Sequence, residues 1–83
     1  MNLTLSVIIP ALNEQDCLPT LLADLNSQKG VSLEIIIADG GSTDDTLNRC
    51  RPFDPIIVRA RRGRASQLNA GFRRSNGSDI LFL

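Results

Sequence analysis

Residues 3–14 read Leu-Thr-Leu-Ser-Val-Ile-Ile-Pro-Ala-Leu-Asn-Glu, and the run Val7-Ile8-Ile9 within them decides the fold. A β-branched run without polar alternation belongs to a strand covered on both faces, which is characteristic of parallel sheets flanked by helices. Pro10 has no amide proton to give a ladder, so the strand is expected over Leu3 to Pro10. Ile35-Ile36-Ile37 repeats the pattern and predicts a second strand over Leu33 to Ala38. Between them, Leu18, Leu21, Leu22 and Leu25 fall at helical spacing and form one apolar stripe. That helix is expected from Asp16 to Ser27, with Pro19 in its first turn and Lys29-Gly30 closing it.

Past the second strand, Asp39-Gly40-Gly41-Ser42 predicts a turn, and Ser42 or Thr43 is expected to cap a short helix running to Arg51. Ile56 to Ala60 reads as a third strand. Arg64 to Ser75 reads as a helix with Ala65, Leu68 and Phe72 on its inner face, where Asn69 also falls. Asn76-Gly77-Ser78 turns the chain into a fourth strand, Ile80 to Leu83. This βαβαβαβ order with short loops predicts an α/β fold. Its form is a three-layer, Rossmann-like partial domain with a parallel sheet of strand order 3-2-1-4. A chain stopping directly after Leu81-Phe82-Leu83 reads as cut inside a longer domain. The fourth strand would then offer a free edge at which a second copy could pair as a homodimer.

Composition narrows the function. At 83 residues, the chain is one domain or part of one. Hydrophobic residues at 42% and charged residues at 22% argue against disorder. Nine basic and nine acidic residues cancel, which disfavours a nucleic-acid partner. The charges are nevertheless segregated: residues 1–46 hold seven acids against Lys29 alone, and residues 47–83 hold eight arginines against Asp54 and Asp79. Histidine is absent, which removes His-based catalysis and His metal ligation. Cys17 and Cys50 lack the spacing of a zinc or redox pair and are expected as small buried side chains in a reducing, cytoplasmic compartment. No stretch approaches the ~18 apolar residues of a transmembrane segment, and no basic leader marks a secretory signal.

In open parallel sheets, ligands bind beyond the carboxyl ends of the strands. Those ends are Pro10-Ala11-Leu12-Asn13-Glu14, Asp39-Gly40-Gly41-Ser42-Thr43 and Arg61-Arg62-Gly63-Arg64. The first carries neither GxGxxG nor GxxxxGK[ST], which argues against a dinucleotide site and a P-loop. Asp39 has two open readings: accepting hydrogen bonds from a ribose or base edge, or holding the amides of the glycine turn. Asp44 and Asp45 suit the positive end of their helix. Arginines ahead of the third helix offer an anion site, where guanidinium charge and free amides converge.

The stretch SVIIPALNE (residues 6–14), followed by IIADGGSTDDT (36–46), resembles the N-terminal half of family 2 glycosyltransferases of the GT-A fold. RGRASQLNAG (62–71) and SDILFL (78–83) are similar to the next part of that family. The wording of residues 62–71 most resembles a bacterial subgroup labelled as arsenosugar-biosynthesis-type transferases. The resemblance implies a nucleotide-diphosphate-sugar donor, with Pro10, Ala11, Asn13 and Glu14 against the nucleoside and Asp39 binding it. Gly40 stands where many members carry a second acid. Gly63, Arg64 and Gln67 match the helix start that approaches the donor. A divalent cation, Mg or Mn, is implied through a DxD-type acid that follows the fourth strand in the family, past Leu83. The family's base and acceptor site lie further on, so no catalytic or metal residue is expected in this chain. The parent would be an inverting transferase. The alternative is a non-catalytic nucleotide-binding or interaction module complete at this length. A nucleotidyltransferase is disfavoured because no glycine-rich loop follows the first strand.

Overall fold

Four strands, β1 (Thr4–Ala11), β2 (Ser32–Asp39), β3 (Ile56–Arg59) and β4 (Asp79–Phe82), pair in parallel in the order 3-2-1-4. The structure is a computed structural model that describes residues 4–83. Leu3, expected to open the first strand, lies outside the described residues. Val7, Ile8 and Ile9 face Ile35, Ile36 and Ile37 across the β1–β2 ladder, and all six are buried. Helices α1 (Leu18–Asn26), α2 (Thr46–Cys50) and α3 (Arg64–Arg74) complete the unit, with a single 3₁₀ turn at Arg51–Phe53.

Alternation along the strands divides the core into two layers. Val7, Ile9, Ala11, Ile35 and Ile37 meet Leu18 and Leu22 of α1 and Cys50 of α2 on one face. Ile8 faces the other way, toward α3. There a methyl group on Gly71 would come within 2.4 Å of Ile8 Cγ2, so only glycine allows helix and sheet this close. The three-layer expectation and the leucine stripe of α1 are both realised.

Several boundaries differ from expectation, each for a local reason. Strand β1 passes through Pro10 to Ala11. Backbone groups alternate in direction along a strand, and the Leu83 amide donates to the Ile8 carbonyl on the β4 side at 3.0 Å. The β1–β4 register ends at Ile8–Phe82. Pro10 nitrogen lies past this last β1–β4 pair. On the β2 side, the Ala11 carbonyl still accepts from the Gly40 amide at 3.0 Å.

Helix α1 starts at Leu18 rather than Asp16, which leaves Cys17 exposed just outside it; Cys50 alone is buried as expected. Helix α2 starts only at Thr46, so neither Ser42 nor Thr43 caps it. Asp39 closes β2 instead of following it, and β3 stops at Arg59. The buried face of α3 is Gln67 and Gly71, not Ala65, Leu68 and Phe72. Phe72 is 52% exposed, and Asn69 points to solvent.

A polar clamp holds the amino ends of the strands. Glu34 accepts the Ser6 hydroxyl at 2.8 Å and the Asn76 amide at 2.7 Å, and Ser6 Oγ accepts the Gly77 amide at 2.8 Å. A side chain on Gly77 would strike Ser6 Oγ and the Thr4 carbonyl, so glycine is required by close approach. The Asn76 amide, and after it the Ser6 hydroxyl, hold the Glu34 carboxyl below its ordinary 4.5. Its stabilising effect is fully present above pH 4.5 and is lost as pH falls through the lowered value. Glu34→Gln is expected to cost about 1 kcal/mol at pH 7. It should also flatten the loss of stability on acidification, as read by urea denaturation at several pH values. An unchanged acid slope would remove Glu34 from the clamp.

Candidate functional site

The loops leaving β1 and β2 are sewn together before either reaches its helix. Asn13 adopts the left-handed conformation (φ 52°), which a short polar side chain tolerates. Its Oδ1 accepts the Thr43 amide at 2.8 Å and the Asp44 amide at 3.2 Å. Its own amide donates to Ser42 Oγ at 2.9 Å. The Glu14 amide donates to Thr46 Oγ1 at 2.8 Å, and the Asp45 amide donates to Gln15 Oε1 at 2.9 Å. Asp44 in turn accepts the Thr46 amide at 2.9 Å and the Thr46 hydroxyl. That hydroxyl is the main reason the Asp44 carboxyl lies below its ordinary value.

Asp39 is buried at the end of β2, with 1% exposure. Its Oδ2 accepts the Gly41 and Ser42 amides, both at 3.0 Å, and its Oδ1 accepts the Ser42 hydroxyl at 2.5 Å. Gly41 has φ 102°, the left-handed geometry that brings its amide back toward this carboxylate. Of the two readings open in the sequence, holding the turn amides is the one these contacts display. Ser42 then relays the arrangement to Asn13.

The third loop joins through Gln67. Its Nε2 donates to the carbonyls of Ala11 at 3.0 Å and Ala38 at 2.9 Å, and its Oε1 accepts the Gly63 amide at 3.1 Å. One buried amide thus spans the ends of β1 and β2 and the start of α3. Gly40 makes room for it, since a methyl there would lie 2.8 Å from Gln67 Cδ. Gly63, at φ 138°, turns the chain into α3.

The nine residues expected at the site therefore gather at one end of the sheet. Ala11, Asp39, Gly40 and Gln67 form its buried floor, and Pro10 is half-buried. Asn13, Glu14, Gly63 and Arg64 are exposed around the rim. Gln15 and Thr46 were not anticipated here, although each helps join the first two loops. The spacing of Asp39 and Ser42, a carboxylate three residues before a hydroxyl, was the signal for the turn. The described residues include no group of three or more His, Cys, Asp or Glu side chains able to hold a metal. They do not by themselves fit the divalent ion that the resemblance implies.

A parallel 3-2-1-4 sheet with a polar platform at its carboxyl edge defines a Rossmann-like α/β unit of the GT-A type. The chain belongs to glycosyl transferase family 2, whose family model matches residues 6–83. It is 37% identical over 84 residues to an uncharacterised glycosyltransferase of Bacillus subtilis (strain 168), covering 93% of this chain and 21% of that protein. It is 36% identical over 85 residues to a PGL/p-HBAD biosynthesis glycosyltransferase of Mycobacterium bovis, covering 94% of this chain and 33% of the relative. Among solved structures, it resembles glucosyl-3-phosphoglycerate synthase of Mycobacterium tuberculosis in complex with Mn2+, UDP and glucosyl-3-phosphoglycerate. That match has a TM-score of 0.84 at 27% identity and covers 98% of this chain and 33% of the other. The chain thus spans a third or less of the length of these proteins.

Asn13→Ala removes the acceptor of two amides and places alanine in the left-handed region. It is expected to destabilise the chain by about 1–3 kcal/mol and to speed hydrogen exchange at Thr43 and Asp44. Asn13→Gly, which relieves the backbone but still lacks the acceptor, should show the same fast exchange with a smaller loss of stability. Slow exchange at both amides in both variants would contradict the role given to Asn13.

Proposed function

We propose that this chain forms the nucleoside-facing part of a glycosyltransferase that uses a nucleotide-diphosphate-sugar donor. The observation that carries the proposal is the single platform made at the carboxyl edge of the sheet by the family's three motif segments. Membership of family 2 and the UDP complex of the mycobacterial relative support the same reading. In this reading Pro10, Ala11, Asn13 and Glu14 border the nucleoside, and Glu14 offers its exposed carboxylate to ribose or base donors. Asp39, Gly40 and Gln67 act as positioning residues beneath it. Gly63 and Arg64 face the diphosphate, with the exposed Arg64 guanidinium at a helix start where amide donors also point.

The transfer itself would be inverting. An acceptor hydroxyl attacks the anomeric carbon, the bond to the diphosphate breaks, and the hydroxyl proton passes to a carboxylate outside this chain. Two unpaired cysteines fit a reducing, cytoplasmic compartment. No helix among the described residues is long and apolar enough to cross a membrane. Self-association belongs to the same proposal, because among the described residues β4 pairs with β1 alone and Leu81, Phe82 and Leu83 are exposed. Sedimentation at micromolar concentration should show a homodimer; a monomer with Phe82 protected from solvent would contradict that pairing.

Calorimetric titration with uridine and guanosine diphosphates tests the donor site. Arg64→Ala and Asp39→Ala should each weaken binding of the preferred nucleotide by about tenfold. Asp45→Ala should leave it unchanged, since the Asp45 carboxylate accepts from Asn48 and Arg49 of α2 while the backbone amide that meets Gln15 is kept. Equal affinities for all three variants would refute the placement.

A further inference from the structure

A second polar cavity lies between the outer strand and α3. It has a volume of about 430 Å³ and is lined by Arg59, Ala60 and Arg61 from the exit of β3 and by Ser66, Asn69, Ala70 and Arg73 from α3. The four α3 residues share one face of the helix, because positions three, four and seven apart align. The inner, buried face of α3 is a different one, formed by Gln67 and Gly71. Strand β2 separates β3 from β1, so this cavity lies beside the outer strand, displaced sideways from the loop that carries Asn13 and Glu14.

Its chemistry is one-sided. Three guanidinium groups surround the cavity and no carboxylate lines it. The ion pairs among the described residues are those of Arg49 with Asp16 and Asp45, so Arg59, Arg61 and Arg73 have no acidic partner there. A concave site edged by one sign of charge concentrates the opposite charge from solution. The two alanines keep the walls short, and the Ser66 hydroxyl and Asn69 amide add neutral hydrogen-bonding groups. No aromatic side chain is present to stack a base. Guanidinium forks with hydroxyl and amide neighbours match phosphoryl oxygens.

We propose that the cavity between β3 and α3 binds a phosphate-bearing ligand through Arg59, Arg61 and Arg73, apart from the nucleotide-facing platform. The ligand carries at least two phosphoryl charges, either as a free phosphorylated small molecule or as a phospholipid headgroup.

The test uses the full chain, inorganic pyrophosphate, and vesicles of phosphatidic acid in phosphatidylcholine. Backbone amide shifts of Ala70 and Arg73 report this cavity, and those of Asn13 and Thr43 report the strand-end platform. Pyrophosphate is expected to shift Ala70 and Arg73 saturably. Arg73→Gln should weaken that response about tenfold, Arg73→Lys should retain part of it, and Lys29→Gln, which removes equal charge elsewhere, should leave it unchanged. Should Arg73→Gln lose the amide pattern of the folded sheet, Arg59→Gln takes its place. Vesicle co-sedimentation that depends on the same arginine, without a pyrophosphate response, assigns the headgroup as source. Shifts confined to Asn13 and Thr43, equal weakening by Lys29→Gln, or no response to either probe overturns the proposal. None of these outcomes depends on nucleoside diphosphate binding at the platform.

Discussion

The side-chain amide of Gln67 is the contact on which the strand-end architecture depends. Two parallel strands finish with carbonyls that the sheet alone does not fully occupy, and a third loop must arrive beside them to start a helix. One primary amide, with two donors and an acceptor, meets all three requirements at once. Burial makes the arrangement demanding, because an amide at 5% exposure with any of these bonds missing would carry the full desolvation cost. Gly40 and Gly71 are its steric conditions: the first leaves space for the amide, and the second lets α3 approach Ile8.

Around that tie, the loops divide the work between rigid floor and polar rim. Asp39, Ser42 and Asn13 transmit position from the end of β2 to the exit of β1 through successive hydrogen bonds. The groups left exposed, Glu14 and Arg64, project from this fixed base. Binding groups held on a rigid support lose less freedom when a ligand arrives, which is the physical advantage of committing so many polar atoms to the fold. The Glu34 clamp does the equivalent at the opposite end of the sheet, where nothing in the sequence suggests a ligand.

Much of this was legible in the residues. Val7-Ile8-Ile9 and Ile35-Ile36-Ile37 could only be doubly covered strands, and the leucine spacing of α1 specified its buried stripe. Strand order followed from connectivity and from the need to cover β1 on both sides. The inner face of α3 was not legible, because periodicity counts large apolar side chains and this face is a glutamine and a glycine. Phe72 looked like the natural anchor, yet about half of it lies in solvent. Pro10 misled for a related reason: a missing amide proton ends a strand only where the ladder needs it. For Asp39 the sequence posed two alternatives, and the buried carboxylate holds the turn donors.

The most direct test of this account is hydrogen exchange in Gln67→Met, which keeps side-chain volume but removes the amide. Faster exchange at Gly40, Gly63 and the first turn of α3, with Asn76 and Gly77 at the other end unchanged, is the predicted result. Exchange that stays as slow as in the parent at Gly40 and Gly63 would contradict it, since the three strand exits would then be held together without Gln67.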